Sequence, residues 1–289
     1  MTEIKAADVK SLRDKTGLGI MECKAALKET GGNLDEAVEY LKINSNLKAE
    51  KKASRTAVEG LLLTANNLMV EVLNYQSYLA QGGDWGSAIS TWLGFDHSKN
   101  CKGIHINMLP ARHIDGPKTE EEKNWDKQFN IDYISQSGYF AIQSTKPQTL
   151  SYAMMESPVG VAAWIVEKFY HWSDLKDGSL DLTYQKDDLL TNIMIYILTK
   201  SFNTSSWIYY GRVKEGGRIL SKEGRRVEVP TGCAVYPKEF LTWPPKSYVE
   251  RLFNLVHWTE MEKGGHFAAL EQPSSLIKDI QDFYKKVAI

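Results

Sequence analysis

The chain carries almost no net charge. Its 35 Lys and Arg stand against 36 Asp and Glu, leaving −1 at pH 7 over 289 residues. That balance excludes a nucleic-acid or anionic-membrane binder driven by bulk charge. Cysteine is scarce: Cys23, Cys101 and Cys233 are odd in number and far apart. They form neither a zinc spacing nor a disulfide framework, so a reducing compartment is expected. The N-terminus, Met-Thr-Glu-Ile-Lys, has no apolar signal core, and no apolar run reaches membrane-spanning length. The expectation is a soluble, cytoplasmic protein with no transmembrane segment, no nucleic-acid partner, no metal and no cofactor.

Proline is missing from the first 60 or so residues, and so is every aromatic except Tyr40. Beyond that point the chain becomes rich in Trp, Tyr, Pro and Gly, and the shift marks a domain boundary. The first part reads as three short helices. Val9 and Leu12 share one face. Cys23, Ala26 and Leu27 follow the i, i+3, i+4 rule after the Gly17-Leu-Gly19 break. Gly31-Gly32 ends the second helix, and Asn33 with Glu36 has capping-box spacing ahead of Leu34, Ala37, Val38 and Leu41. The expected layout is a three-helix (UBA-like) module over 1–45, a connecting segment over 46–67 and a larger domain over 68–289.

In the larger domain Gly82-Gly83-Asp84-Trp85-Gly86 fits the nucleophile-elbow pattern, with Asp in place of Ser. A sharp strand-to-helix turn exposes its central residue. Small residues are expected two positions either side because a Cβ there would collide with the turn. Tyr78–Gln81 reads as the strand before it and Gly86–Trp92 as the helix after it. Further strands are expected at Cys101–Leu109, Arg226–Tyr236 and Phe253–Glu260, with helices at Leu68–Tyr75, Val161–Trp172, Leu189–Leu198 and Ser274–Val287. Strand, helix, strand, helical insertion (cap at about 118–206), strand, helix, strand, helix is the carboxy-terminal order of an α/β-hydrolase with a cap. Its triad runs nucleophile, acid, histidine, and the chain offers Asp84, Glu239 and His266 in loops beyond successive strand ends. Glu260 and Glu262 are rival acids, but lie too near His266 along the chain to come from the preceding strand's loop. His257, a rival base, falls inside an apolar strand and reads as structural.

Two resemblances follow from the wording. Leu12 to Leu27, Gly32 to Ala37 and Ala49 to Leu61 resemble the amino-terminal module of bacterial elongation factor Ts, over roughly residues 2–62. This implies a surface on residues 1–45 that docks on elongation factor Tu, without the nucleotide-exchange core. Gly82 to Gly86, Gln143 to Thr149, Glu156 to Trp164 and Gly264 to Glu271 stand in series and resemble epoxide hydrolases of the microsomal and juvenile-hormone type, over roughly 68–289. That resemblance implies hydrolysis of a small-molecule epoxide to a vicinal diol through an ester on Asp84. His266 would activate water and Glu239 would orient it. The Trp85 backbone N–H would hold the oxyanion. Tyr139 matches one cap tyrosine. The second is Tyr210, favoured by its distance from the preceding serine pair, or Tyr209, which fits almost as well.

The resemblance also implies strands and a His-Gly-x-Pro loop ahead of the elbow. Here the elbow-bearing region follows soon after the elongation-factor-like stretch, and His113-Ile-Asp-Gly-Pro117 has the wrong spacing. The expectation is therefore an incomplete α/β-hydrolase fold with an open sheet edge. Loss of one oxyanion donor would cost about 100- to 1000-fold in turnover. The alternatives are a Tu-binding module and a non-functional fusion.

Overall fold

The computed structural model describes residues 4–16, 20–41 and 64–287. The chain forms two compact units, Met1–Arg55 and Thr56–Ile289.

The first unit holds α1 (Ala6–Thr16), α2 (Ile20–Glu29) and a third helical segment, α3, over 34–41. Val9, Leu12, Cys23, Ala26, Leu27, Ala37 and Leu41 bury together as its core. These are the positions whose spacing places them on one face of each helix. Gly31 and Gly32 take φ of 60° and 92° and reverse the chain. Asn33 Oδ1 then accepts from the backbone N–H of Asp35 and Glu36 at 3.1 and 3.2 Å. Glu36 reaches back to the Asn33 side chain, at 2.8 Å, rather than to its backbone. The Gly17–Gly19 break and most of the connecting segment lie outside the described residues.

The second unit is built on a parallel sheet. A helical turn over 64–67 runs into a π-helical stretch, Leu68–Val72, where a plain amphipathic helix was expected. There follow β1 (Tyr78–Gly82), α4 (Trp85–Asp96) and β2 (Cys101–Ile106). Next come α5 (Glu120–Gln136), α6 (Gly138–Thr145), α7 (Pro147–Glu156), α8 (Pro158–Trp172), α9 (Lys186–Leu198) and α10 (Phe202–Lys214). The chain returns to the sheet with β3 (Val227–Val235), α11 (Lys246–Leu252) and β4 (Phe253–Glu260), and closes with α12 (Pro273–Val287).

The strand order is β1-β2-β3-β4, every pair parallel. Parallel neighbours need crossovers, and α4 and α11 supply two of them. The crossover from β2 to β3 is the long helical insertion. A parallel sheet of this kind is covered on both faces, so its strands are nearly continuously apolar. Ile104, Ile106, Val227, Cys233 and Phe253 are accordingly buried. On one face α12 packs Leu276 and Phe283 inward, and burying a side chain of Phe283's size stabilises by roughly 2–3 kcal/mol. Among the described residues β1 pairs on one side only, with β2. No helix of the described residues is long and apolar enough to cross a membrane.

Candidate active site

Beyond the end of β1 the chain turns abruptly into α4, and the turn centres on Asp84. Its φ of 45° and ψ of −121° are rare for a residue bearing a side chain, a strain of order 1–3 kcal/mol that the surroundings must hold. The Ser87 hydroxyl donates to the Gly82 carbonyl at 2.6 Å, and Ser87 N–H donates to Gly83 O at 3.2 Å. A Cβ on Gly82 would fall inside the backbone of Gly86, so β1 must end in glycine. Gly86 itself would meet nothing within 4 Å. The expectation of a clash on both sides is thus corrected: only the strand side is crowded, because α4 starts directly over it. The Asp84 side chain makes no capping bond to α4 and is 52% exposed, leaving its oxygens free to react.

Glu239 follows β3, where the chain turns back and Glu239 N–H donates to Tyr236 O at 3.3 Å. Its buried carboxylate accepts from Leu241 N–H at 3.0 Å. His266 follows β4 in the neighbouring loop, and Lys238 N–H donates across to Gly264 O at 3.1 Å. His266 Nδ1 lies 3.0 and 2.9 Å from the two Glu239 oxygens, and its Nε2 faces Asp84 Oδ2 at 3.8 Å. The structure thus brings Asp84, Glu239 and His266 into one line. The rings of Trp172, Phe240 and Phe267 each stand edge-on to the imidazole at 5.1 Å. Burial among them opposes a charged ring, but the Glu239 and Asp84 carboxylates overcome it and raise the His266 pKa to about 10. The two carboxylates therefore favour the charged form of the ring in the free site.

Tyr139 on α6 and Tyr209 on α10 face each other with ring centroids 5.6 Å apart, and Tyr209 stands edge-on to Trp85 at 5.1 Å. Burial raises the pKa of both phenols well above the ordinary tyrosine range; the negative charge of Asp84 adds to it at Tyr209, and Tyr209 and then Asp84 add to it at Tyr139. Both stay protonated and can donate. Tyr210 does not join them. Its ring packs on Trp207 at 5.6 Å, and Lys214 Nζ lies 5.3 Å over it. Successive helical residues point about 100° apart, so only one of the pair can face Tyr139, and it is Tyr209. The preference for Tyr210 is corrected. Trp85 opens α4, where backbone N–H groups have no partner within the helix.

Asp84, Tyr139 and Tyr209 line a hollow of about 80 Å³ whose wall also includes Tyr133, Arg212 and Arg218. Neither arginine has a pattern in the sequence that announces it. The Arg218 guanidinium donates to Leu109 O at 2.7 Å. Trp85, Tyr139 and Tyr209 also face a larger cavity of about 670 Å³, lined by Trp164, Phe169 and Trp172 of the helical insertion and by Phe267 beyond β4, among others. Of the rival residues, Glu260 and Glu262 are exposed. His257 is buried elsewhere, with Nε2 2.7 Å from Asp279 Oδ1.

Among the described residues His105, His257 and Asp279 bring together groups able to hold a cation. Their hydrogen bonds argue for a different use. Lys286 Nζ lies 2.7 Å from His257 Nδ1, which assigns the ring proton to Nε2, the atom a metal would need. Asp279 instead accepts from His105, Thr259 and His257. These bonds outweigh the cost of burial and hold its pKa down to about 2.

No family model matches the chain. A putative epoxide hydrolase of Stigmatella aurantiaca is 34% identical over 223 residues, covering 76% of this chain and 49% of the relative. Epoxide hydrolase 1 of Oryctolagus cuniculus is 36% identical, covering 73% and 51%. Juvenile hormone epoxide hydrolase 1 of Ctenocephalides felis is 34% identical, covering 77% and 54%. Among solved structures, the Aspergillus niger epoxide hydrolase superposes with TM-score 0.65 at 29% identity, covering 78% of this chain and 56% of that one. The juvenile hormone epoxide hydrolase of the silkworm Bombyx mori gives 0.67 at 29%, covering 79% and 60%. The chain spans about half the length of the curated relatives it matches. Over roughly three quarters of its own length, the chain is thus homologous to epoxide hydrolases of the epoxide hydrolase 1 and juvenile hormone type, and it carries their α/β-hydrolase fold.

Proposed function

We propose that this chain hydrolyses an epoxide to a vicinal diol through an ester on Asp84. The observation that carries the reading is the line Asp84–His266–Glu239 under two facing phenols. An Asp84 oxygen attacks a ring carbon of the epoxide and the carbon–oxygen bond of the strained ring breaks. Tyr139 and Tyr209 donate to the departing oxygen, one of them passing it a proton. Esterification removes one of the two anions that favour a charged His266. Burial, no longer opposed by Asp84, then promotes loss of the imidazole proton, and through solvent the phenolate left by ring opening takes a proton back, so both phenols are restored. Neutral Nε2 takes a proton from water, and the resulting hydroxide attacks the ester carbonyl carbon. The Trp85 N–H holds the oxyanion, and collapse releases the diol and restores Asp84. Glu239 keeps Nδ1 protonated and aimed, so that Nε2 presents its lone pair.

The test is diol formation by the purified full chain from an aryl epoxide, beside Asp84→Asn. The variant is expected to lose about 10⁴-fold in rate. In single turnover in H₂¹⁸O, label should enter the Asp84 carboxylate. A folded wild-type chain that forms no diol and no ester would refute the proposal.

For the first unit, docking on elongation factor Tu stays a proposal. It is supported by the resemblance over residues 2–62 and by the separate compactness of Met1–Arg55. Co-purification of the full chain with elongation factor Tu, lost on deletion of residues 1–45, tests it.

A further inference from the structure

Glu271 is part-buried and sits five residues beyond His266. Its carboxylate accepts three backbone N–H bonds. Oε2 takes Asp174 N–H at 2.7 Å and Gly265 N–H at 2.9 Å, and Oε1 takes Phe267 N–H at 3.0 Å. Two of these donors flank His266 in the chain. The third follows the end of α8, the helix that delivers Trp172 to the imidazole. The same two segments are joined twice more. Asp174 Oδ2 accepts from Gly264 N–H at 2.9 Å, and His266 N–H donates to Trp172 O at 2.8 Å. The approach is so close that a Cβ on Gly265 would stand 2.5 Å from Trp172 O. Neither Glu271 nor Asp174 touches the reacting atoms.

We propose that Glu271 is a positioning residue for His266, clamping the histidine loop to the end of α8 so that insertion and imidazole move as one body. A carboxylate suits the task because it has only acceptors, and each oxygen can take two donors. Gln cannot replace it fully. If the Gln oxygen served the Asp174 and Gly265 donors, its NH₂ would confront the Phe267 N–H. The loop would slacken and His266 would leave the narrow place between Glu239 on one side and Asp84 on the other. A base displaced by about 1 Å costs roughly 100-fold in rate. Asp174 and the Tyr184 phenol are the other titratable groups facing Glu271. Glu239 and Asp84 are those facing His266.

The inference rests on His266 as the base of the proposed reaction, but its test does not depend on turnover. The titration of His266 is followed by NMR in the full chain, wild type beside Glu271→Gln, with Glu262→Gln as a charge change in the same loop that makes no clamp. In Glu271→Gln the midpoint is expected to fall by roughly one unit, a tenfold easier proton loss, and the amides of Gly265 and Phe267 to exchange faster. Glu262→Gln should leave both unmoved. Where diol is formed, kcat should drop up to about 100-fold with little change in KM. A folded Glu271→Gln whose His266 midpoint stays at the wild-type value overturns the inference, whatever its activity. Should Glu271→Gln fail to fold, Asp174→Asn cuts the same tie at Gly264 and is read the same way. A shifted midpoint in a chain that makes no diol would refute the proposed function and leave the clamp standing.

Discussion

Glu239→Gln is the most exacting single perturbation of this site, because it preserves shape and removes one charge. In the wild type the two carboxylates lift His266 from an ordinary 6.5 to about 10 against its burial, with Glu239 the larger influence. Each unit corresponds to about 1.4 kcal/mol, so the lift represents at most about 5 kcal/mol of preference for the charged ring. Without the Glu239 charge the burial remains, and the midpoint should fall by several units, to near 6.5 or lower. The stability consequence has a definite sign. A histidine whose folded pKa is raised contributes stability that is full below the unfolded value of 6.5 and fades as pH climbs through about 10. Glu239→Gln should therefore destabilise by a few kcal/mol at pH 6 and by much less at pH 10. Urea unfolding at the two pH values measures the difference. His266→Gln assigns the resonance among the six histidines. An equal loss at both pH values, with an unmoved His266 midpoint, would show that Glu239 does not hold a charged imidazole and would refute the electrostatic account.

Tyr139→Phe and Tyr209→Phe should each cut epoxide turnover by about 100-fold, as loss of a donor to a developing oxyanion does. Tyr210→Phe should change it less than about threefold, and comparing kcat/KM for the three tests the assignment. Gly82→Ala should destabilise by about 3 kcal/mol or more, since the new Cβ meets the Gly86 backbone. Gly86→Ala, with open space around it, should be neutral or stabilise by up to about 1 kcal/mol in thermal melts. Asp279→Asn should cost about 2 kcal/mol at neutral pH, from a carboxyl lowered from 3.8 to about 2. A depressed carboxylate contributes stability above its unfolded pKa that disappears as pH falls through about 2, so the gap to wild type should close in acid.

The linear pattern of this chain determined the parts that depend on local physics. Alternation between apolar runs and helical spacing located all four strands of the described sheet and the helix after the elbow. Gly82 beside Asp84 announced a turn that only a residue without a Cβ can enter. The order of Asp84, Glu239 and His266 was readable because parallel strands deliver successive loops to the same sheet edge. What tertiary structure decided lies where neighbours in space are not neighbours in sequence. Tyr209 and Tyr210 are equivalent as letters, and only the seating of α10 against α6 selects the first. Gly86 looked as constrained as Gly82 because the pattern is symmetric, whereas the real crowding comes from one side, where the helix starts over the strand end. His257 read as structural, but its partners Asp279 and Lys286 lie on α12 and follow from packing alone. Glu271 carried no local mark of its role, because its partners are backbone N–H groups. Every residue except proline supplies one, and only the fold determines which of them meet a given carboxylate.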